Sequence, residues 1–168
     1  PLGYYDELRE SRRSNQTHFM YESSCGAGLP VIHTLRDLVE TGDEILAIEG
    51  IFSGTLAYLF NVFDGSVPFS AIVSEARDNG YTEPDPRDDL SGMDVARKLI
   101  ILARELGLRL EVEDIEIESL VPESLASSSI DDFLSNLPDH DDAMLKRFEA
   151  AREAGQVLRY VGSLDKDG

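Results

Sequence analysis

The sequence predicts an α+β fold, and three observations carry that prediction. Apolar residues recur at helical spacing over much of the chain. Short alternating stretches interrupt them, and Gly or Pro punctuates nearly every junction between the two patterns. With no internal repeat and no low-complexity linker, residues 1–168 read as one unit large enough to enclose a core.

The elements follow in order. Tyr4, Tyr5 and Leu8 fall at helical spacing in the opening segment, which predicts a short helix. Residues 18–22 (HFMYE) alternate and are aromatic, so a strand is expected, followed by a glycine turn at 25–28 (CGAG). Val31, Leu35, Leu38 and Val39 then mark one face of a helix that Gly42 stops. Residues 44–51 (EILAIEGI) alternate as a strand, and the helix SGTLAYLFNVF opens with Ser53 or Thr55 as its cap. A further amphipathic helix covers 68–79 and ends at Gly80.

Residues 82–90 (TEPDPRDDL) are expected to be irregular, because Pro84 and Pro86 remove backbone donors and push the preceding residues out of the helical region. A helix then starts at Ser91, with Ser91 and Asp94 at capping-box spacing, and buries Val95, Leu99, Leu102 and Leu106. LRLEVEDIEIESL (108–120) alternates acids with Val112, Ile115 and Ile117 and predicts an irregular strand. After a serine-rich joint at 127–129 come two helices, the second opening on Asp139, Asp141 and Asp142, where the helix dipole favours negative charge. VLRYVGSL (157–164) reads as a strand and DKDG (165–168) as a hairpin turn.

Composition narrows the function classes. A net charge of −18 disfavours nucleic acid and anionic membrane surfaces as partners. No apolar run approaches the ~18–20 residues a bilayer span needs. A single cysteine forms no internal disulfide, which suits a reducing cytoplasm. A start at Pro1, and a final turn with no second strand, suggest a piece of a longer protein, truncated at both ends.

Chemistry has three candidate locations. At the glycine corner, Gly26 and Gly28 fit the first two positions of a dinucleotide fingerprint, but Val31 occupies the third and Pro30 precedes it, so nucleotide binding there is disfavoured. Such a corner can instead aim backbone carbonyls at a hard cation. The second location is the proline-braced loop carrying Glu83, Asp85, Asp88 and Asp89, with Asp94 and Lys98 one turn apart on the helix behind it. Carboxylates beside a lysine can hold an ammonium-bearing substrate and exchange a proton with an oxygen. The bland alternative is a solvated helix pair worth about 0.3–0.5 kcal/mol. The same acids are weighed as a divalent-metal site for hydrolysis. The third location, DHDD at 139–142, is explained by an acidic helix start at no extra cost, so a metal there is disfavoured.

GYTEPDPRDDLSGMDVARK (80–98) resembles the signature segment of the homoserine dehydrogenases, with Ala76, Gly80, Asp85, Pro86, Asp89, Gly92, Asp94 and Lys98 in their places. YESSCGAGLPVI, GDEILAIEGIFSGTLAYLFN and VLRYVG are similar in the same order, so the resemblance spans essentially the whole chain. Its style is that of the forms fused to aspartokinase. The resemblance implies an incomplete catalytic domain, a mixed β-sheet with helices packed on it, which binds substrate and forms a homodimer through its sheet. The Rossmann domain lies elsewhere. It implies interconversion of L-homoserine and L-aspartate 4-semialdehyde with NADPH or NADH, in threonine and methionine biosynthesis. Lys98 is then the proton donor, and Glu83, Asp89 and Asp94 hold the amino acid substrate. The carbonyls of Glu22, Cys25, Ala27 and Leu29 correspond to a sodium site, with Cys25 departing from the aliphatic residue usual at its position. An association module with a solvated acidic face is the alternative reading.

Overall fold

The computed structural model describes residues 2–165, which are helix-rich with one small sheet. After a 3-10 turn, α1 spans Tyr5–Ser14. Then come α2 (Val31–Glu40), β1 (Ala47–Gly50), α3 (Gly54–Val62), α4 (Phe69–Asp78), α5 (Pro86–Leu90) and α6 (Met93–Glu105). The chain closes with α7 (Ile130–Asn136), α8 (Asp141–Glu153) and β2 (Gly162–Asp165). The α+β expectation holds. Among the described residues, however, the sheet is an antiparallel pair with Ala47 opposite Asp165 and Gly50 opposite Gly162, not a larger mixed sheet. Of the expected final turn, residues 166–168 lie outside the described residues.

α6 is the spine. It buries Val95, Ala96, Leu99, Ile100, Leu102 and Ala103, and it packs on α2, α5 and β2. The main core gathers Leu56, Leu59, Ile72, Val73, Leu90, Leu99 and Phe133. A smaller cluster of Cys25, Ile32, Leu35 and Leu102 fastens the glycine corner and α2 to the far half of α6. Phe52 touches both clusters. Each fully buried leucine here contributes about 1.5–3 kcal/mol.

One close approach governs how β2 meets α6. A Cβ on Gly162 would lie 2.9 Å from the Phe52 ring, 2.9 Å from Val95 and 3.1 Å from Leu99, so only glycine lets the strand settle against the helix.

Several expectations change. Residues 18–22 form no strand, because no neighbouring strand takes up their backbone groups; the segment runs into a 3-10 turn at Glu22–Ser24. The stretch 108–120 likewise holds only a 3-10 turn, Val112–Asp114, closed by a capping box between Glu111 and Asp114. The loop expected to be irregular contains α5. Asp85 caps it by accepting from the Arg87 N–H at 3.0 Å, and Pro86 occupies the first helical position, where its missing N–H costs nothing. On α2 the buried residues are Ile32 and Leu35, while Leu38 and Val39 are exposed. The expected capping box of α6 does not form. Gly92, at φ +73°, precedes the helix in the left-handed region, the Ser91 hydroxyl accepts from the Met93 N–H at 3.3 Å, and Asp94 turns to Lys98 instead. Tyr160 lies against Gly92 where a side chain would go, its hydroxyl donating to the Glu118 carbonyl at 2.9 Å.

Candidate active site

Lys98, in the second turn of α6, meets the main chain that leads into α3. Asp94 and Lys98 are four apart on α6, so they share a face, and their charged atoms lie 2.7 Å apart. The Lys98 ammonium also donates to the Phe52 carbonyl at 2.7 Å. Its side chain is 21% exposed, against 48% for Asp94. The ammonium is therefore held on two sides while keeping a route to solvent. This differs from a pair lying loose on a helix surface, where both partners are free to reorient.

The acid loop that precedes α6 in the chain is braced rather than floppy. The Asp89 carboxylate accepts from the Glu83 N–H at 2.8 Å, which closes the loop across six residues. Asp85 instead binds Arg87, with the guanidinium 2.6 Å from its carboxylate. That contact holds the Asp85 carboxyl below its ordinary range, chiefly through the Arg87 hydrogen bond. Arg87 in turn donates to the carbonyls of Leu125, Ala126 and Ser128 at 3.3, 3.3 and 2.7 Å and lies over the Phe133 ring. The Thr55 hydroxyl donates to the Tyr81 carbonyl at 2.7 Å, so the first turn of α3 is tied to the entry of the acid loop.

Of the four residues expected at the substrate site, Lys98 and Asp94 are in direct contact, and Glu83 and Asp89 are linked through the Glu83 main chain. Neither loop acid hydrogen-bonds to Lys98. Asp85 and Asp88 do not join them as ligands: Asp85 is committed to Arg87, and no group of three or more His, Cys, Asp or Glu side chains is arranged for a metal among the described residues. DHDD serves structure. Asp141 caps the start of α4, accepting from the Ser70 N–H at 2.8 Å and the Ser70 hydroxyl at 2.6 Å.

The glycine corner lies under α6. The Cys25 thiol is buried and approaches the Lys98 carbonyl at 3.8 Å, and burial pushes it up to about 11. Its side chain thus faces the helix, which leaves only its carbonyl for any ion. The Glu22 carbonyl accepts from the Cys25 and Gly26 N–H groups at 3.2 and 3.4 Å, and that of Leu29 accepts from Val31 at 2.9 Å. The Glu22 carboxylate caps α2, taking the Ile32 N–H at 2.6 Å and the His33 N–H at 2.9 Å. An anion already occupies this helix start, so the corner does not fit a dinucleotide pyrophosphate.

Sequence reasoning missed two features. The Phe52 carbonyl is main chain and carries no sequence signal. A triad fastens the corner to α6: the Tyr21 hydroxyl bonds to Glu105, and Arg36 donates to Glu105 at 2.6 Å and to Tyr21 at 2.7 Å. Its members are up to 84 residues apart, beyond any spacing rule.

A lysine clamped between a carboxylate and a main-chain carbonyl, in an α+β domain whose acid loop is latched on itself, leaves several chemistries open. Comparison narrows this. The profile of the homoserine dehydrogenase family, described as Homoserine dehydrogenase, matches residues 30–166. A bifunctional aspartokinase/homoserine dehydrogenase 2 of Zea mays, named as chloroplastic, is 61% identical over 98% of this chain and 18% of its own length. The Escherichia coli bifunctional enzyme 2 is 52% identical over 98% of the chain and 20% of its own. A homoserine dehydrogenase of Emericella nidulans is 51% identical over 98% of the chain and 48% of its own. Among solved structures, a Candida auris protein titled as of unknown function superposes with a TM-score of 0.83 at 47% identity, over 88% of this chain and 43% of that one. A homoserine dehydrogenase of Thiobacillus denitrificans shares the fold, with a TM-score of 0.74 over 98% of this chain and 34% of its own. The chain belongs to the homoserine dehydrogenase family, and it spans under a quarter of the length of the bifunctional relatives it matches.

Proposed function

We propose that this chain forms the substrate side of a homoserine dehydrogenase, interconverting L-homoserine and L-aspartate 4-semialdehyde in the route to threonine and methionine. The observation that carries the proposal is the Lys98 ammonium held between Asp94 and the Phe52 carbonyl at 2.7 Å each. When the semialdehyde is reduced, hydride adds to its carbonyl carbon and the oxygen needs a proton. Lys98 has a proton to give, on a side chain whose direction is fixed. Glu83 and Asp89 supply negative charge for the substrate ammonium, and Asp94 keeps Lys98 oriented while adding to that charge. NADPH or NADH supplies the hydride when bound, and the glycine corner is not where it binds.

The test grafts residues 1–168 in place of the equivalent segment of the maize bifunctional relative. Lys98→Ala in that enzyme should cut turnover by about 10²-fold or more, the lower part of the range for a lost general acid. Near-normal turnover removes Lys98 from the mechanism.

Three further assignments are part of the same reading. The carbonyls of Glu22, Cys25, Ala27 and Leu29 are oxygen donors of the kind hard cations take, which suits a sodium ion, and a melting temperature that rises in sodium but not choline chloride tests them. A homodimer joined through the sheet belongs to the same reading, and sedimentation checks it. A cytoplasmic setting is supported by the lone free thiol of Cys25.

A further inference from the structure

We infer that Ser53 is a positioning residue for Lys98, acting through the main chain of Phe52. The inference rests on the reading of Lys98 as proton donor. One of the two contacts that fix Lys98 is to a backbone oxygen, and a backbone oxygen is only as well placed as the peptide plane it lies in. The Phe52 carbonyl belongs to the peptide that leads into Ser53, between the end of β1 and the start of α3. On one side this peptide is anchored by the Phe52 ring, packed against both core clusters. On the other side Ser53 is the N-cap of α3, with extended backbone (φ −116°, ψ 122°) and a hydroxyl that accepts from the Leu56 N–H at 3.2 Å. Ser53 is 8% exposed, and its own carbonyl accepts from Ala57 at 3.0 Å.

The cap therefore does more than close a helix. It fixes the rotation of residue 53, and with it the direction in which the preceding carbonyl points. Without the hydroxyl, the first turn of α3 can unwind and the Phe52–Ser53 peptide can rotate away from the ammonium. Lys98 would then keep only Asp94, a half-exposed partner on its own helix. The same turn carries Thr55, whose hydroxyl holds the Tyr81 carbonyl before the acid loop. The start of α3 thus sets where the lysine sits relative to Glu83 and Asp89.

The chain has three lysines, Lys98, Lys146 and Lys166, so amine acetylation followed by peptide mass spectrometry reads Lys98 against the exposed Lys146 in one sample. Ser53→Ala should raise the labelling rate of Lys98 relative to Lys146 by about fivefold, the factor that a typical lost cap represents. Ser53→Asn, which can still cap, should restore the slow rate. Ser129→Ala removes a comparable cap from α7, where the Ser129 hydroxyl accepts from the Asp132 N–H at 3.1 Å, and should leave the Lys98 rate unchanged. If Ser53→Ala does not fold, Ser53→Gly removes the same hydroxyl at little cost to the helix and should also speed labelling. Unchanged Lys98 labelling in both the Ala and Gly variants, or equal acceleration by Ser129→Ala, overturns the inference. In the grafted enzyme Ser53→Ala should lower kcat more than it raises KM, with Asn restoring kcat, and an effect confined to a raised KM counts against it. Labelling does not require Lys98 to be catalytic, so a fully active Lys98→Ala enzyme would sink the proposed function and leave the labelling result standing.

Discussion

Replacing Gly162 by Ala tests whether the seam between β2 and α6 is as tight as its geometry indicates. The added methyl would meet the Phe52 ring and Val95 at 2.9 Å and Leu99 at 3.1 Å, where ordinary carbon contacts lie near 3.5–4.0 Å. Each neighbour must retreat by about half an ångström, and all three belong to the same packed region, so they cannot retreat independently. Inserting one methyl into such a site costs about 1–3 kcal/mol. Gly162 has no positive φ, so the change recovers about 0.5–1 kcal/mol of backbone entropy relative to glycine. Taking the middle of each range, the net expectation is a loss of about 1 kcal/mol. Equilibrium urea unfolding followed by circular dichroism measures it. With a slope of about 2 kcal/mol per molar, the midpoint should fall by about 0.5 M with the slope unchanged. A midpoint equal to or above that of the wild type would show that the seam has room, and the close approach would lose its meaning.

Two other outcomes follow from the triad under α6. Glu105→Ala should destabilise the chain by about 2–3 kcal/mol in the same assay, somewhat below the ~3–5 of a fully buried pair, because the Arg36 side chain is 26% exposed. Burial first, then the Glu105 contact, pushes the Tyr21 hydroxyl up to about 12 from its ordinary 10. Its protonated form is thus favoured by folding, so the stability it contributes is complete below about pH 10 and is lost as pH rises toward about 12. Tyr21→Phe should flatten that part of the stability profile, and a profile as steep as the wild type's would place the titration elsewhere.

Much of the fold was legible because helices announce themselves locally. The periodicity of 93–105, the cap at Ser53 and the glycine stops need only neighbours in sequence, and all stand in the structure. Strands were less legible. HFMYE and LRLEVEDIEIESL alternate as strands do, yet a strand exists only where another strand accepts its hydrogen bonds, and none does so among the described residues. PDPRDDL departs from expectation for the opposite reason: proline reads as a breaker, yet here it starts a helix. At the candidate site, Asp94 and Lys98 were readable from their spacing of four. The resemblance named Glu83 and Asp89, but their link is a contact between a side chain and a peptide N–H that spacing does not predict.

The Arg87 clamp has a consequence for the order in which this molecule becomes competent. Three carbonyls that fix the guanidinium lie 38 to 41 residues further along the chain, so the acid loop acquires its final shape only after that later segment has docked. Closing a loop of this length must precede the contacts that reward it. The last brace of the acid loop is therefore expected late in folding, and replacing Arg87 would loosen that loop without touching a single reacting group.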